Sequence, residues 1–174
     1  MHIVINKGFT LIELVVTLSV GSILLAVAAP NYQVFVQNSR LSAQNNSFAS
    51  ALILAKSEAV KRSSPATVCP STSGTACAGG TNWSNGWLVF ADPDGDGVVD
   101  AGEQIIQVSP ALTGGNTLSS GARTRVTFAP SGFTLGFADT FSSCDDRGAT
   151  HSKALVLNNQ GRLHTDTVGT GVCL

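Results

Sequence analysis

Apolar residues run almost unbroken from Phe9 to Ala29, then recur at helical spacing, and after Pro65 fall into short runs between polar clusters. The first run has the length of a membrane span: at ~1.5 Å rise per residue it roughly matches the ~30 Å hydrocarbon core of a bilayer. From Phe9 to Ala29 the one ionisable side chain is Glu13. A carboxylate inside such a segment costs roughly 2.5–3.5 kcal/mol on insertion scales, so it asks for a functional reason. Pro30 removes a helical donor and is expected to kink the helix rather than end it.

Beyond Asn31 the composition shifts to Gln, Asn, Ser and Ala. Val34, Leu41, Phe48, Leu52, Ala55 and Ala59 fall on one stripe. Gln37, Asn38, Arg40, Gln44, Asn45, Lys56, Glu58 and Arg62 form the other face. The spacing predicts one helix over 9–62, apolar throughout 9–29 and amphipathic over 30–62, ended by Ser63-Ser64-Pro65. The amphipathic half needs an apolar surface to lie on, and residues 63–174 are the economical source.

In that C-terminal part the pattern predicts strands at 67–69, 87–91, 104–108, 125–129, 133–137, 154–157 and 162–165. Pro130-Ser131-Gly132 and Asn158-Asn159-Gln160-Gly161 are hairpin signals. Short strands with turn signals throughout imply antiparallel sheets against the helix, an α+β fold. No internal repeat and no second helix of convincing length is visible.

Composition narrows the classes. At 174 residues the chain holds one globular domain beyond the apolar segment. Charged residues are 12% and the net charge is −1, which speaks against a strongly basic nucleic-acid binder. Cys69, Cys77, Cys144 and Cys173 make an even count downstream of the apolar run, as in exported chains that form disulfides. Three connectivities exist; Cys69–Cys77 with Cys144–Cys173 is favoured, a short clip and a tie on the C-terminal tail. A zinc site is disfavoured, since no C-x-x-C pair exists and the three histidines are scattered.

The stretch Lys7-Gly8-Phe9-Thr10-Leu11-Ile12-Glu13, with the apolar run after it, resembles the N-terminus of the type IV pilins. That resemblance implies a leader of residues 1–8, cleavage between Gly8 and Phe9 by a prepilin peptidase, and methylation of the new Phe9 amine. It also implies that Glu13 meets the N-terminal amine of a neighbouring subunit in a filament. Two other readings use the same residues: a secretory signal cut at Ala26-Val27-Ala28, and a plain single-span anchor. The mass of the mature chain separates the three.

Cys69-Pro70-Ser71, Cys77, Trp83-Ser84-Asn85-Gly86-Trp87-Leu88-Val89-Phe90 and Asp92 resemble a subgroup of minor pilins and pseudopilins, the FimU, FimT and GspH proteins. Trp83, Trp87 and Phe90 also read simply as core and sheet residues. Within this subgroup the chain looks most like a FimU-like minor pilin. That implies the pilin fold, a long helix half in the membrane and half on an antiparallel β-sheet domain, with other pilin and minor pilin subunits as partners. It implies an inner-membrane anchor with a periplasmic domain before assembly, a place at the cell surface afterwards, and a tip-associated complex that primes the filament. A GspH-like role in type II secretion is the alternative.

Two further patterns are chemical. Asp92, Asp94, Asp96, Gly97, Val98, Asp100 and Glu103 match D-x-D-x-D-G-x-x-x-x-x-E, the spacing of a calcium loop. Val98 would offer a carbonyl, Asp100 a water-mediated contact and Glu103 a bidentate carboxylate. Strands rather than helices flank it, so an acidic hairpin turn held by Asx-turns accounts for the same residues. The second pattern is basic: Arg123 and Arg125 at one strand start, and Gly161-Arg162-Leu163-His164 in the last hairpin. FimT-like proteins resemble DNA receptors with a C-terminal G-R-x-R motif. Here His164 stands where the second arginine would fall, and histidine is mostly neutral at pH 7. The low net charge also weakens the counter-ion release a DNA binder exploits. No G-x-S-x-G, phosphate loop or H-E-x-x-H occurs, so the chain reads as no enzyme.

Overall fold

In the computed structural model the described residues are 8–134 and 136–173. Lys7 and the rest of the leader ahead of Gly8, and Leu135 of the expected 133–137 strand, lie outside them. The chain forms helix α1 (Leu11–Arg62) and strands β1 (Ala66–Pro70), β2 (Trp87–Ala91), β3 (Ile105–Ser109) and β4 (Thr117–Ser120). Then follow β5 (Val126–Phe128), β6 (Asp139–Cys144), a 3₁₀ turn at Ala149–His151, β7 (Lys153–Leu157) and β8 (Leu163–Thr165). Contacts divide the chain into one unit up to Ser39 and another from Arg40 onward. The helix runs through Pro30. It ends where Ser63 adopts φ 51°, its N–H donating to the Val60 carbonyl and that of Ser64 to the Ala59 carbonyl. These two bonds satisfy last-turn carbonyls in a Schellman arrangement.

Within the second unit α1 buries Leu41, Asn45, Phe48, Ala51, Leu52, Ala55 and Ala59. The steps of three and four keep these side chains on one face. Two positions depart from the expected stripe. Val34 belongs to the first unit and is 45% exposed. Asn45, expected on the polar face, is buried because it sits one turn from both Leu41 and Phe48; Ser143 Oγ donates to its Oδ1 at 3.2 Å.

The strands form two antiparallel four-stranded sheets, β3-β2-β1-β5 and β4-β6-β7-β8. The β1 and β2 strands are buried along their whole length, on both faces. Val68 and Val89 pair across the ladder and join the core with α1, whereas Cys69, Leu88 and Phe90 form a smaller cluster with Cys77, Val99 and Ile105. That second cluster includes both cysteines of the Cys69–Cys77 clip and Val99 of the acidic turn. In the main core Phe48 stands 5.2 Å from the ring centroids of both Trp83 and Trp87 and 4.8 Å from Phe141. Helix α1, the first sheet and the second sheet therefore meet at one side chain.

The expected strands at 67–69, 87–91, 104–108, 125–129, 154–157 and 162–165 coincide with β1, β2, β3, β5, β7 and β8 to within one or two residues. The Asn158–Gly161 turn joins β7 to β8, with Leu157 opposite Leu163. Of the expected strand at 133–137, the described residues 133, 134, 136 and 137 are not in a strand. Thr134 is instead pinned to the β7–β8 turn, its N–H donating to the Asn159 carbonyl and its hydroxyl to that of Asn158. Gly136 then turns the chain at φ 86°.

Candidate functional site

The described part of the N-terminal segment starts with Gly8, which has open space around its Cα, and Phe9, which is 79% exposed. Thr10 caps the helix. Its Oγ1 accepts from the Glu13 N–H at 3.3 Å, while Glu13 Oε2 accepts from the Thr10 N–H at 3.2 Å and its hydroxyl at 3.1 Å. This is a capping box, and it gives the Glu13 carboxylate a local partner at the helix start. The signal was present as Thr10-Leu11-Ile12-Glu13, but sequence reasoning assigned no role to Thr10. Further along, the hydroxyls of Thr17, Ser19 and Ser22 return to carbonyls one turn back, so they need no water. Leu11, Ile12, Leu14, Leu18, Ile23, Leu24 and Leu25 are 53–81% exposed. The helix is long and apolar enough to cross a membrane. An apolar surface of this extent marks a place for lipid or for another protein.

The acidic turn joins β2 to β3. Ligand oxygens of Asp92, Asp94 and Asp96 lie within 4.8 Å of one another. Asp92 is fully buried: its Oδ2 accepts from Thr67 Oγ1 at 2.5 Å and from the Gly97 N–H at 3.1 Å. Burial pushes the Asp92 carboxyl above the usual carboxylate range, against the pull of the Thr67 bond. Asp94 and Asp96 are exposed and also receive main-chain N–H groups, from Asp96 and Val98 respectively. Asp100 and Glu103 stand outside this cluster, the Asp100 N–H donating to Glu103 Oε2 at 3.0 Å. Glu103 is likewise raised, by burial first and then by the charges of Asp92, Asp94 and Asp100. Val98 contributes its N–H to Asp96, and its side chain is exposed. Thr67, which orients Asp92 from the neighbouring strand, was not singled out by the sequence; Asp92 to Thr67 is a tertiary contact with no local signal.

The four basic candidates divide between the sheets. Arg125, just ahead of β5, donates from its guanidinium to the Asp96 carbonyl and lies over the Phe137 ring at 5.9 Å. Arg123 donates from Nε to the Ala138 carbonyl. Both are half-buried and engaged with the chain itself, whereas Arg162 and His164, at the β7–β8 hairpin, are exposed. The cysteines pair as Cys69–Cys77 and Cys144–Cys173, eight and 29 residues apart. In the chain-entropy model loops of those lengths stabilise by about 2.5 and about 3.6 kcal/mol.

The family described as Type II transport protein GspH matches residues 44–161, which span β1 to the β7–β8 turn and the packed half of α1. The chain belongs to the GspH family. A prokaryotic N-terminal methylation motif matches residues 5–29. Two crystal forms of the type IV minor pilin FimU from Pseudomonas aeruginosa share the fold. In the first, identity is 16%, with 79% of this chain and 96% of that chain covered and a TM-score of 0.63. In the second, identity is 18%, with coverages of 77% and 93% and a TM-score of 0.52. Curated protein sequences give no match.

As a GspH-family chain with an N-terminal methylation motif, the protein is structural and non-enzymatic, and the family implies assembly with other pilin subunits. Its apolar N-terminal helix and methylation motif fit an inner-membrane anchor. Trp83 and Trp87 are core residues, buried against Phe48. Gly86 between them has φ 108°, and a Cβ there would lie 2.6 Å from the Ser109 carbonyl. Only glycine fits this turn without strain.

Proposed function

We propose that this chain is a minor subunit of a type IV pilus, cleaved after Gly8, methylated at Phe9, and placed in a tip-associated complex that primes the filament. Before assembly residues 9–29 anchor it in the inner membrane, with residues 63–174 on the periplasmic side. The observation that carries this reading is the exposed apolar surface of α1 over residues 11–29 around a single carboxylate, Glu13. Lipid covers the apolar side chains but leaves the carboxylate with Thr10 alone, at a cost of a few kcal/mol. A neighbouring subunit with an N-terminal amine covers the same side chains and pairs the charge. The transfer from bilayer to bundle is thereby favourable and fixes the subunit's register. The likeness to FimU, itself a type IV minor pilin, supports a pilus as the filament.

A pseudopilin of type II secretion is the second reading, and the family's description as a transport protein favours it. Both predict that Glu13→Ala leaves cleavage at Gly8 intact, read by the mass of the mature chain, yet abolishes incorporation. Normal incorporation of Glu13→Ala would sink both. Co-purification with pilins or with pseudopilins then decides between them. DNA reception has less support, because Arg123 and Arg125 are committed to carbonyls of their own chain.

A further inference from the structure

We propose that the turn between β2 and β3 binds one calcium ion through the carboxylates of Asp92, Asp94 and Asp96. This stands independently of the filament reading. Calcium takes six to eight oxygens at about 2.3–2.6 Å, so two oxygens sharing one ion are no more than about 5 Å apart. The three aspartates meet that condition, with oxygens within 4.8 Å of one another.

A second observation points the same way. Asp92 is fully buried, and while its Oδ2 is taken by Thr67 and Gly97, its Oδ1 is shut off from solvent without a hydrogen-bond partner. A buried carboxylate oxygen left bare is costly, and a cation is the partner that removes the cost for an acceptor-only group. Among the described residues no basic side chain forms an ion pair with these aspartates. The nearby Arg125 guanidinium donates instead to the Asp96 carbonyl. Asp94 and Asp96 are exposed, which leaves the ion a way in and room for water ligands. All ligands are hard oxygens, which suits calcium over zinc or copper. The proposal rests on the three aspartates; Glu103 Oε2 accepts the Asp100 N–H.

Equilibrium dialysis of the full chain in detergent micelles, stripped with chelator and returned to calcium chloride at about 1 mM, tests this directly. One calcium per chain is expected, together with a melting temperature raised by roughly 5–10 °C at about 100 times Kd. The chain carrying Asp94→Asn and Asp96→Asn exchanges exposed carboxylates for isosteric amides. It should melt as the wild type does in chelator, and bind calcium at least about tenfold more weakly. No stoichiometric calcium on the wild type at about 5 mM, above the weak end of about 1 mM for extracellular modules, overturns the proposal. So does undiminished binding by the double variant.

Discussion

Glu13 Oε2 accepts two hydrogen bonds from Thr10, one from its main-chain N–H and one from its hydroxyl. The residue expected to meet a neighbour's amine is therefore also part of the helix's own start. These two roles separate chemically. A glutamine at this position keeps the capping box but carries no charge. Glu13→Gln should retain slow amide exchange in the first turn yet lose filament incorporation. Thr10→Val should do the reverse: the lost cap costs about 1 kcal/mol, speeding exchange of the first-turn amides about fivefold, while assembly persists. Assembly by Glu13→Gln at the wild-type level would show that the box, not the charge, is what Glu13 supplies.

Phe48 is the one helix side chain in ring contact with Trp83, Trp87 and Phe141. Burial of such a ring and its edge-on contacts together make truncation expensive. Phe48→Ala should destabilise the C-terminal unit by about 3–5 kcal/mol in urea denaturation followed by tryptophan fluorescence, and Phe48→Leu by about 1–2 kcal/mol. Ala55→Gly, in the same stripe but outside the aromatic cluster, should cost only about 1 kcal/mol. Equal losses at the two positions would mean that the aromatic cluster holds the helix no more firmly than ordinary contacts.

These same residues mark how far the fold was legible. Leu41, Phe48, Leu52, Ala55 and Ala59 announce themselves by periodicity because one face of a helix meets a core. The β2 strand announced itself by apolar content. By contrast, β4 and β6 were invisible, since Thr117-Leu118-Ser119-Ser120 and Asp139-Thr140-Phe141-Ser142-Ser143-Cys144 look like turn clusters. They are buried as strands because their hydroxyls find partners far away: Ser142 Oγ accepts the Val172 N–H, Ser143 Oγ donates to Asn45, and Trp83 Nε1 donates to Ser120 Oγ. Such partners lie on other elements and leave no trace in local pattern. The acidic turn was readable by spacing for Asp92, Asp94 and Asp96, but Glu103's engagement with Asp100 depends on the loop's closure and was not.

Asp145, beside the Cys144–Cys173 tie, is buried with Arg147, whose guanidinium and main-chain N–H donate to its carboxylate at 2.5–3.2 Å. The Arg147 bond holds the carboxyl below the usual carboxylate range, with the charges of Arg147 and His151 assisting against burial. A lowered folded-state value means stability that is fully present above the unfolded value of about 3.9 and lost as pH falls through the folded value. Arg147→Gln should therefore be less stable than the wild type by roughly 2 kcal/mol at pH 7, and the gap should narrow below about pH 4. Glu58, lowered by Arg62, is present in both chains and cancels from the difference. Chemical denaturation of both chains across this range checks the sign. A gap that widens on acidification would reverse the assignment.

The Gly161-Arg162 pair separates a structural reading of the last hairpin from a nucleic-acid one. Gly161 has φ 66°, and a Cβ there would stand 2.3 Å from the Gly132 carbonyl oxygen. The neighbouring Gly161 carbonyl accepts from Lys56 Nζ at 2.9 Å, tying this turn to α1. Gly161→Ala thus meets both a left-handed backbone and a main-chain clash, and should cost about 2 kcal/mol or more. Arg162 holds the turn through its main-chain N–H, which donates to Asn158 Oδ1, while its side chain is exposed. Arg162→Ala should then leave stability within about 0.5 kcal/mol of the wild type. It should also leave gel-shift behaviour with duplex DNA unchanged, because one exposed arginine supplies little counter-ion release. A salt-sensitive shift in the wild type that Arg162→Ala removes would place DNA on this hairpin, and the glycine would then serve to present the arginine.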